Sequence, residues 1–178
     1  MLLLTAEKIS KSYSEKILLR DVTFGVNSGD KIGLIGVNGT GKSTLLKIVA
    51  GIETPDGGTV TRSGGVRVGY LPQNPVFEEG ANVLGQVMRG ISEQQREYKT
   101  YECKAILTRL GLNDFDEPLS RLSGGQKKRV SLASALVTPA EVLILDEPTN
   151  HLDSDMVGWL EDYLSRYTGA LLMVTHAR

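Results

Sequence analysis

Gly36-Val37-Asn38-Gly39-Thr40-Gly41-Lys42-Ser43-Thr44 is the stretch on which the reading of this chain turns. Lys31-Ile32-Gly33-Leu34-Ile35 before it has the apolar character of a short strand, and Leu45-Leu46-Lys47-Ile48-Val49-Ala50 after it reads as a helix closed by Gly51. A Gly-x-x-x-x-Gly-Lys-Ser loop set between a strand and a helix is the context in which such a loop holds phosphates. Its glycines let successive backbone N–H groups converge on an anion, and the helix N-terminus adds unpaired donors and partial positive charge. Lys42 supplies a full charge for β- and γ-phosphates, and the Ser43 hydroxyl offers a ligand to Mg²⁺. An ordinary glycine-rich turn is the plain alternative, but the flanks favour a nucleoside triphosphate.

The bulk properties restrict the setting. A length of 178 residues suits one domain with a real core. With 40% hydrophobic and 23% charged residues the composition is that of a soluble globular protein, and a net charge of −1 argues against a uniformly basic nucleic-acid binder. Cys103 is the only cysteine, so no internal disulfide forms and a reducing compartment is expected. No stretch approaches the roughly 20 apolar residues of a membrane span. Met1-Leu2-Leu3-Leu4-Thr5 meets Glu7 without a basic leader, which does not suit a signal peptide. A cytoplasmic location follows as the expectation.

The first part of the chain reads as β-rich, with strands at Leu2 to Ile9, Lys16 to Leu19 and Val22 to Val26. Tyr13 falls in the polar turn Lys11-Ser12-Tyr13-Ser14, either as a surface tyrosine or as a platform for a base. After the turn Thr54-Pro55-Asp56-Gly57-Gly58, Thr59 to Thr61 and Val66 to Leu71 read as strands. Gln73 follows at a loop mouth between two prolines. Val83 to Leu110 reads as helix in at least two pieces parted near Gly90, with Ser92 to Lys99 solvated and Ala105, Ile106, Leu107 and Leu110 forming an apolar face.

Leu122-Ser123-Gly124-Gly125-Gln126 opens a further helix: Ser123 is a candidate N-cap, and Val130, Leu132, Ala133, Leu136 and Val137 make its core stripe. Its bare N-terminus is a second possible anion site, while Lys127-Lys128-Arg129 reads as a solvated face. Glu141 to Leu145 is a continuous apolar run, as in a strand buried on both faces of a parallel sheet. It delivers Asp146 and Glu147 at its C-terminal end, where open α/β sheets bind ligands. Asp146 suits the Mg²⁺ shell, and Glu147 suits orienting or deprotonating an attacking water. A helix over Ser154 to Tyr167 turns Val157, Leu160 and Leu164 inward; a last buried strand, Ala170 to Val174, leads to His176, a surface residue or a γ-phosphate contact.

Together these residues resemble the ATP-binding cassette (ABC) family over nearly the whole chain. The phosphate loop matches at Gly36 to Ser43, the glutamine loop at Gln73 and the signature sequence at Leu122 to Gln126. The acidic strand matches at Val142 to Glu147, the D-loop at Leu152-Asp153 and the switch histidine at His176; Tyr13 lies where the family places its adenine-stacking aromatic. The resemblance implies an α/β fold of the phosphate-loop NTPase type, with an N-terminal antiparallel β subdomain, a mostly parallel core sheet and a helical subdomain at about 82–138 within one domain, 1–178. It implies ATP and Mg²⁺ as ligands. Gly36, Asn38, Gly39, Thr40, Gly41, Lys42, Ser43 and Thr44 would bind nucleotide, with Ser43, Gln73 and Asp146 on the metal and Glu147, His176 and Lys42 in catalysis. Ser123, Gly124, Gly125 and Gln126 would contact the nucleotide held by a second cassette. Each ATP would then join two cassettes, and hydrolysis would release them.

Asp146-Glu147-Pro148-Thr149-Asn150-His151-Leu152-Asp153 looks like the soluble ABC-F proteins, as do Asp30 to Ser43 and Gly158-Trp159-Leu160-Glu161. Members of that group carry two cassettes in one chain and act on the ribosome near the tRNA exit site without a membrane partner; this chain would be the first cassette. Three features depart from the pattern. The helical arm between Gln73 and Leu122 is shortened around Arg96 to Ala105, Ala177 stands where the group has aspartate, and Arg178 ends the chain before the family's final strands, as in a fragment with sheet surface left exposed. The alternatives are the nucleotide-binding subunit of a membrane transporter, which the short helical region favours and Asn150-His151 disfavours, and a non-catalytic nucleotide-gated module, which Glu147 disfavours.

Overall fold

The computed structural model describes residues 1–36 and 41–176. They fall into two compact units: residues 1–36, 41–70, 140–148 and 168–176 in the first, and 71–139 and 149–167 in the second.

Two sheets and one helix build the first unit. β1 (Leu2–Tyr13) pairs antiparallel with β2 (Lys16–Asn27) on one side and β4 (Gly57–Arg62) on the other. The two strands expected between Lys16 and Val26 are one, because the ladder is bulged rather than broken: register shifts flank Ile9, and Lys8 and Asp21 adopt positive φ of 50° and 47°. Side chains complete the irregular pairing, with the Lys8 N–H donating to Thr23 Oγ1 at 2.9 Å and the Asp21 N–H to Ser10 Oγ at 3.1 Å. β1 also runs past Ile9, so Tyr13 ends a strand instead of occupying a turn, and only Ser14 and Glu15 turn the chain. At Gly58, φ is +84° and a Cβ would collide with the Glu7 and Lys8 carbonyl oxygens, so only glycine fits beside β1.

The second sheet has the order β3-β7-β6-β5, from β3 (Lys31–Gly36), β7 (Ala170–His176), β6 (Val142–Asp146) and β5 (Val68–Leu71). β3, β7 and β6 run parallel, and every β6 residue is buried. That explains its unbroken apolar run, since a parallel strand covered on both faces has no polar side to present. α1 (Lys42–Ala50) joins both sheets in one core: its Leu46 and Val49 belong to the same buried cluster as Leu4 and Ile9 of β1 and Ile144 of β6. Gly51 ends α1 in the left-handed conformation, its N–H turned back to the Ile48 and Lys47 carbonyls. β3 lies at the edge of its sheet, and its Ile35 is 73% exposed.

Arg67 and Glu141, just ahead of β5 and β6, form a fork of charge-assisted bonds, with Nη2 to Oε1 at 2.8 Å and the Arg67 N–H donating to Oε2 at 2.6 Å. The Arg67 guanidinium, then its backbone N–H, pull the Glu141 carboxyl down to about 2 from an ordinary value of 4.5. A depressed carboxyl stabilises the fold above its unfolded pKa and loses that contribution as pH falls through its folded value. We therefore expect the stability advantage of the wild-type protein over Glu141→Gln to be constant above pH 4.5 and to shrink between pH 4.5 and 2. The increment is modest because both side chains meet solvent. Urea unfolding of the two proteins across that range measures it; a difference independent of pH would contradict the assignment.

The second unit is helical: α2 (Val83–Met88), α3 (Glu93–Arg109), α4 (Gly124–Val137) and α5 (Ser154–Ser165), with a short 3₁₀ turn at Leu119–Arg121. α2 and α3 part around Gly90, where a Cβ would meet Thr138 Oγ1 at 2.6 Å. On α3 the buried face comprises Cys103, Ile106 and Leu107; Ala105 is exposed, contrary to the sequence expectation, because Cys103 takes the place one turn before Ile106 and Leu107. The basic run on α4 is also corrected. Lys127, Lys128 and Arg129 are half-buried, and Arg129 Nη1 donates to the Leu110 carbonyl at 2.7 Å, capping the end of α3. Val130, Leu132, Ala133, Leu136 and Val137 are buried as the spacing predicts, while on α5 Leu160 and Leu164 are buried and Val157 is half-covered.

Candidate nucleotide-binding site

In the first unit three parallel strands end together. In register, Gly36 of β3 stands beside His176 of β7, and Asp146 of β6 beside Val174 of β7. The C-terminal edge of the sheet thus gathers the first residue of the expected phosphate loop, the backbone of His176 and the two acids, as ligand-binding edges of open α/β sheets do. Asn38, Gly39 and Thr40, with Val37, lie outside the described residues, as does Ala177. Gly41 is the N-cap of α1, with φ at 90°, and a Cβ there would press on the Leu18 carbonyl at 2.9 Å. Glycine is therefore the residue that lets the chain enter α1 against the β2 backbone. Lys42, Ser43 and Thr44 form the first turn, where backbone N–H groups lack helical acceptors.

Asp146 is 2% exposed, and neither carboxylate oxygen has a geometrically formed hydrogen bond. Burial pushes its carboxyl up and the Glu147 charge adds to this; the adjacent Ser43 hydroxyl, then Lys47 and Lys42, pull it down. Ser43 thus lies close enough to favour the charged form without meeting hydrogen-bond geometry. An ionised carboxylate buried without donors is costly. A hard divalent cation would remove this cost, and carboxylate and hydroxyl oxygens are the donors Mg²⁺ prefers. Among the described residues no cluster of three or more His, Cys, Asp or Glu could hold a metal by itself.

Glu147 is 9% exposed with φ at 51°, a left-handed conformation uncommon for a non-glycine residue. Its N–H donates to the Val174 carbonyl at 3.0 Å, anchoring the turn to β7. Strained backbone of this kind persists where the surroundings over-determine it and clusters at functional sites. Tyr13 is 48% exposed, and the Lys11 ammonium lies 5.5 Å from its ring centroid. Lys11 is itself fixed, donating to the Thr54 carbonyl at 2.8 Å and pairing with Asp56 at 3.4 Å, so one ring face carries a cation.

The second unit holds the remaining candidates. Gln73 is exposed in the loop after β5. Ser123 and Gln126 close a capping box on α4: the Gln126 N–H donates to Ser123 Oγ at 3.1 Å, and the Ser123 N–H to Gln126 Oε1 at 2.9 Å. Both side chains are thus committed to the helix end, leaving the N–H groups of Gly124 and Gly125 as its bare donors. Asp153 caps α5 through the Met156 N–H at 2.9 Å. Sequence reasoning missed the residue beside α4: at Gly125 a Cβ would stand 3.5 Å from that of His151, whose φ is 67°. The positions were legible, but nothing local ties residue 151 to residue 125.

A parallel sheet whose strand ends carry a glycine-entered helix, a buried unpaired aspartate and a strained glutamate defines a phosphate-loop nucleotide-binding domain. Residues 19–150 match the family model described as ABC transporter, and the chain belongs to the ATP-binding cassette family. It is 40% identical over 215 aligned positions to the uncharacterized ABC transporter ATP-binding protein YfmR of Bacillus subtilis (strain 168), covering 100% of this chain and 34% of that protein. It is 34% identical to the energy-dependent translational throttle protein EttA of Mycobacterium tuberculosis (strain CDC 1551 / Oshkosh), covering 98% and 38% respectively. A solved structure, an ATP binding subunit of an ABC transporter, superposes with a TM-score of 0.85 at 26% identity, over 98% of this chain and 79% of that one. The chain spans about a third of the length of the curated relatives it matches. Aligned stretches longer than its 178 residues mean that those relatives carry segments it lacks.

Proposed function

We propose that this chain forms one half of a Mg-ATPase site that a second cassette completes, in a cytoplasmic ABC-F-type translation factor. The observation that carries the catalytic reading is the buried, unpaired Asp146 carboxylate beside Ser43 at the entrance of α1. Lys42 and the amides of Gly36 to Thr44 hold the phosphates, and Tyr13 stacks the adenine on the face that Lys11 leaves open. Asp146 and Ser43 would hold Mg²⁺, with Gln73 a further ligand as the family resemblance implies, and the ion would neutralise phosphate charge. Glu147 orients the attacking water and takes its proton, and His176 contacts the γ-phosphate. The capped end of α4, Ser123 to Gln126, offers its donors to the ATP held by the partner cassette. Donors aimed at a γ-phosphate lose their target when it leaves, so turnover separates the pair.

The ribosomal assignment rests on Asn150-His151 and on likeness to EttA, a translational throttle protein by name. The second reading, a transporter's nucleotide-binding subunit, is favoured by likeness to an ATP binding subunit of an ABC transporter and by the compact helical region. Among the described residues no helix is long and apolar enough to cross a membrane. Sedimentation of the Glu147→Gln protein with ribosomes and, separately, with membrane vesicles discriminates them. ATP-dependent recovery with ribosomes and none with vesicles is expected; the reverse result would move the chain to the transporter class.

A further inference from the structure

Tyr70 sits on β5, the strand beside β6, and packs against the apolar cluster that contains Val142 and Ile144. Alternation along β6 puts Val142, Ile144 and Asp146 on one face, so Tyr70 and Asp146 share the side of the sheet that α1 covers. The Tyr70 hydroxyl is sealed from solvent without a hydrogen-bond partner, as are both Asp146 oxygens. One orphaned donor and two orphaned acceptors therefore lie at the same end of neighbouring strands. Phenylalanine would fill this apolar position equally well without a polar group to desolvate, so the phenol needs a use. The Asp146 charge reaches it: burial first, then Asp146, push the phenol up to about 12, which keeps it a donor throughout the physiological range.

We propose that Tyr70 is the positioning residue of the metal-binding carboxylate: in the loaded site its hydroxyl donates to one Asp146 oxygen and leaves the other to Mg²⁺. This rests on Asp146 as the Mg²⁺ ligand. Groups that orient ligating side chains typically carry 10- to 100-fold in metal affinity. A residue that merely packs would alter stability and leave the metal response alone.

The test uses the 178-residue chain as wild type, Tyr70→Phe and Asp146→Asn. Thermal midpoints are recorded at fixed ATP against free Mg²⁺, with a matched series of ATP in chelator. In Tyr70→Phe the Mg²⁺ concentration giving half of the metal-dependent shift should rise about 10- to 100-fold, with the metal-free ATP shift unchanged. A wild-type Mg²⁺ response in Tyr70→Phe, with the response lost in Asp146→Asn, overturns the proposal alone. A retained response in Asp146→Asn overturns the ligand assignment and this proposal together. Equal weakening of the metal-free and metal-dependent shifts in Tyr70→Phe also overturns it, as the mark of a packing defect.

Discussion

Replacing Glu147 with glutamine is expected to lower ATP turnover by about 10²- to 10⁴-fold, the usual contribution of a positioned general base. The substitution preserves volume and a hydrogen-bonding oxygen, and it leaves the N–H that donates to the Val174 carbonyl untouched. The positive φ persists as well, so the loss isolates the carboxylate rather than the turn. ATP binding should remain, because the proposed phosphate contacts lie at α1 and not at Glu147. The paired state should accumulate when hydrolysis cannot separate it. Turnover measured across protein concentrations, with sizing of the ATP-bound variant, checks both parts. Unchanged turnover would mean that Glu147 does not act on the water and would favour a nucleotide-gated module without catalysis.

Lys42→Ala should abolish the thermal stabilisation given by ATP. A ligand that binds only the native state stabilises it by about 2.7 kcal/mol at a hundredfold excess over its dissociation constant. For a chain of this size that corresponds to a rise in midpoint of about 5–10 °C. Lys42 stands in the first turn of α1, where its ammonium adds full charge to the bare amides and helix dipole. Alanine suits helices, so the unliganded midpoint should stay near wild type while the shift disappears. Scanning calorimetry with and without Mg-ATP gives the answer. A persisting shift would place the phosphates elsewhere.

What could be read before folding is what the chain settles between near neighbours. The helix-forming run of α1 is local, and so is the positive φ that glycine meets at position 41, although the Leu18 carbonyl that also excludes a Cβ there is not. The start of α4 was legible because Ser123 and Gln126 satisfy each other's backbone across three residues. β6 was legible because an unbroken apolar run ending in acids has few other uses. Errors arose where a partner distant in sequence decides the outcome. The bulged β1–β2 ladder depends on Ser10 and Thr23 completing it across the hairpin. Arg129 is held by the carbonyl of Leu110 instead of water.

The sequence by itself therefore determined the phosphate-loop class, which one strand, loop and helix encode, and the family and candidate nucleotide residues, which the order of the further motifs along the chain encodes. Tertiary structure decided the burial that pushes the Asp146 carboxyl up, the strained seat of Glu147 and the meeting of His151 with Gly125. It also placed an unpartnered phenol at Tyr70 on the strand beside the one that ends in Asp146. Desolvation is the physical reason: an aspartate becomes a buried, donor-starved ligand only when other elements exclude water from it, and no local pattern records which elements those will be.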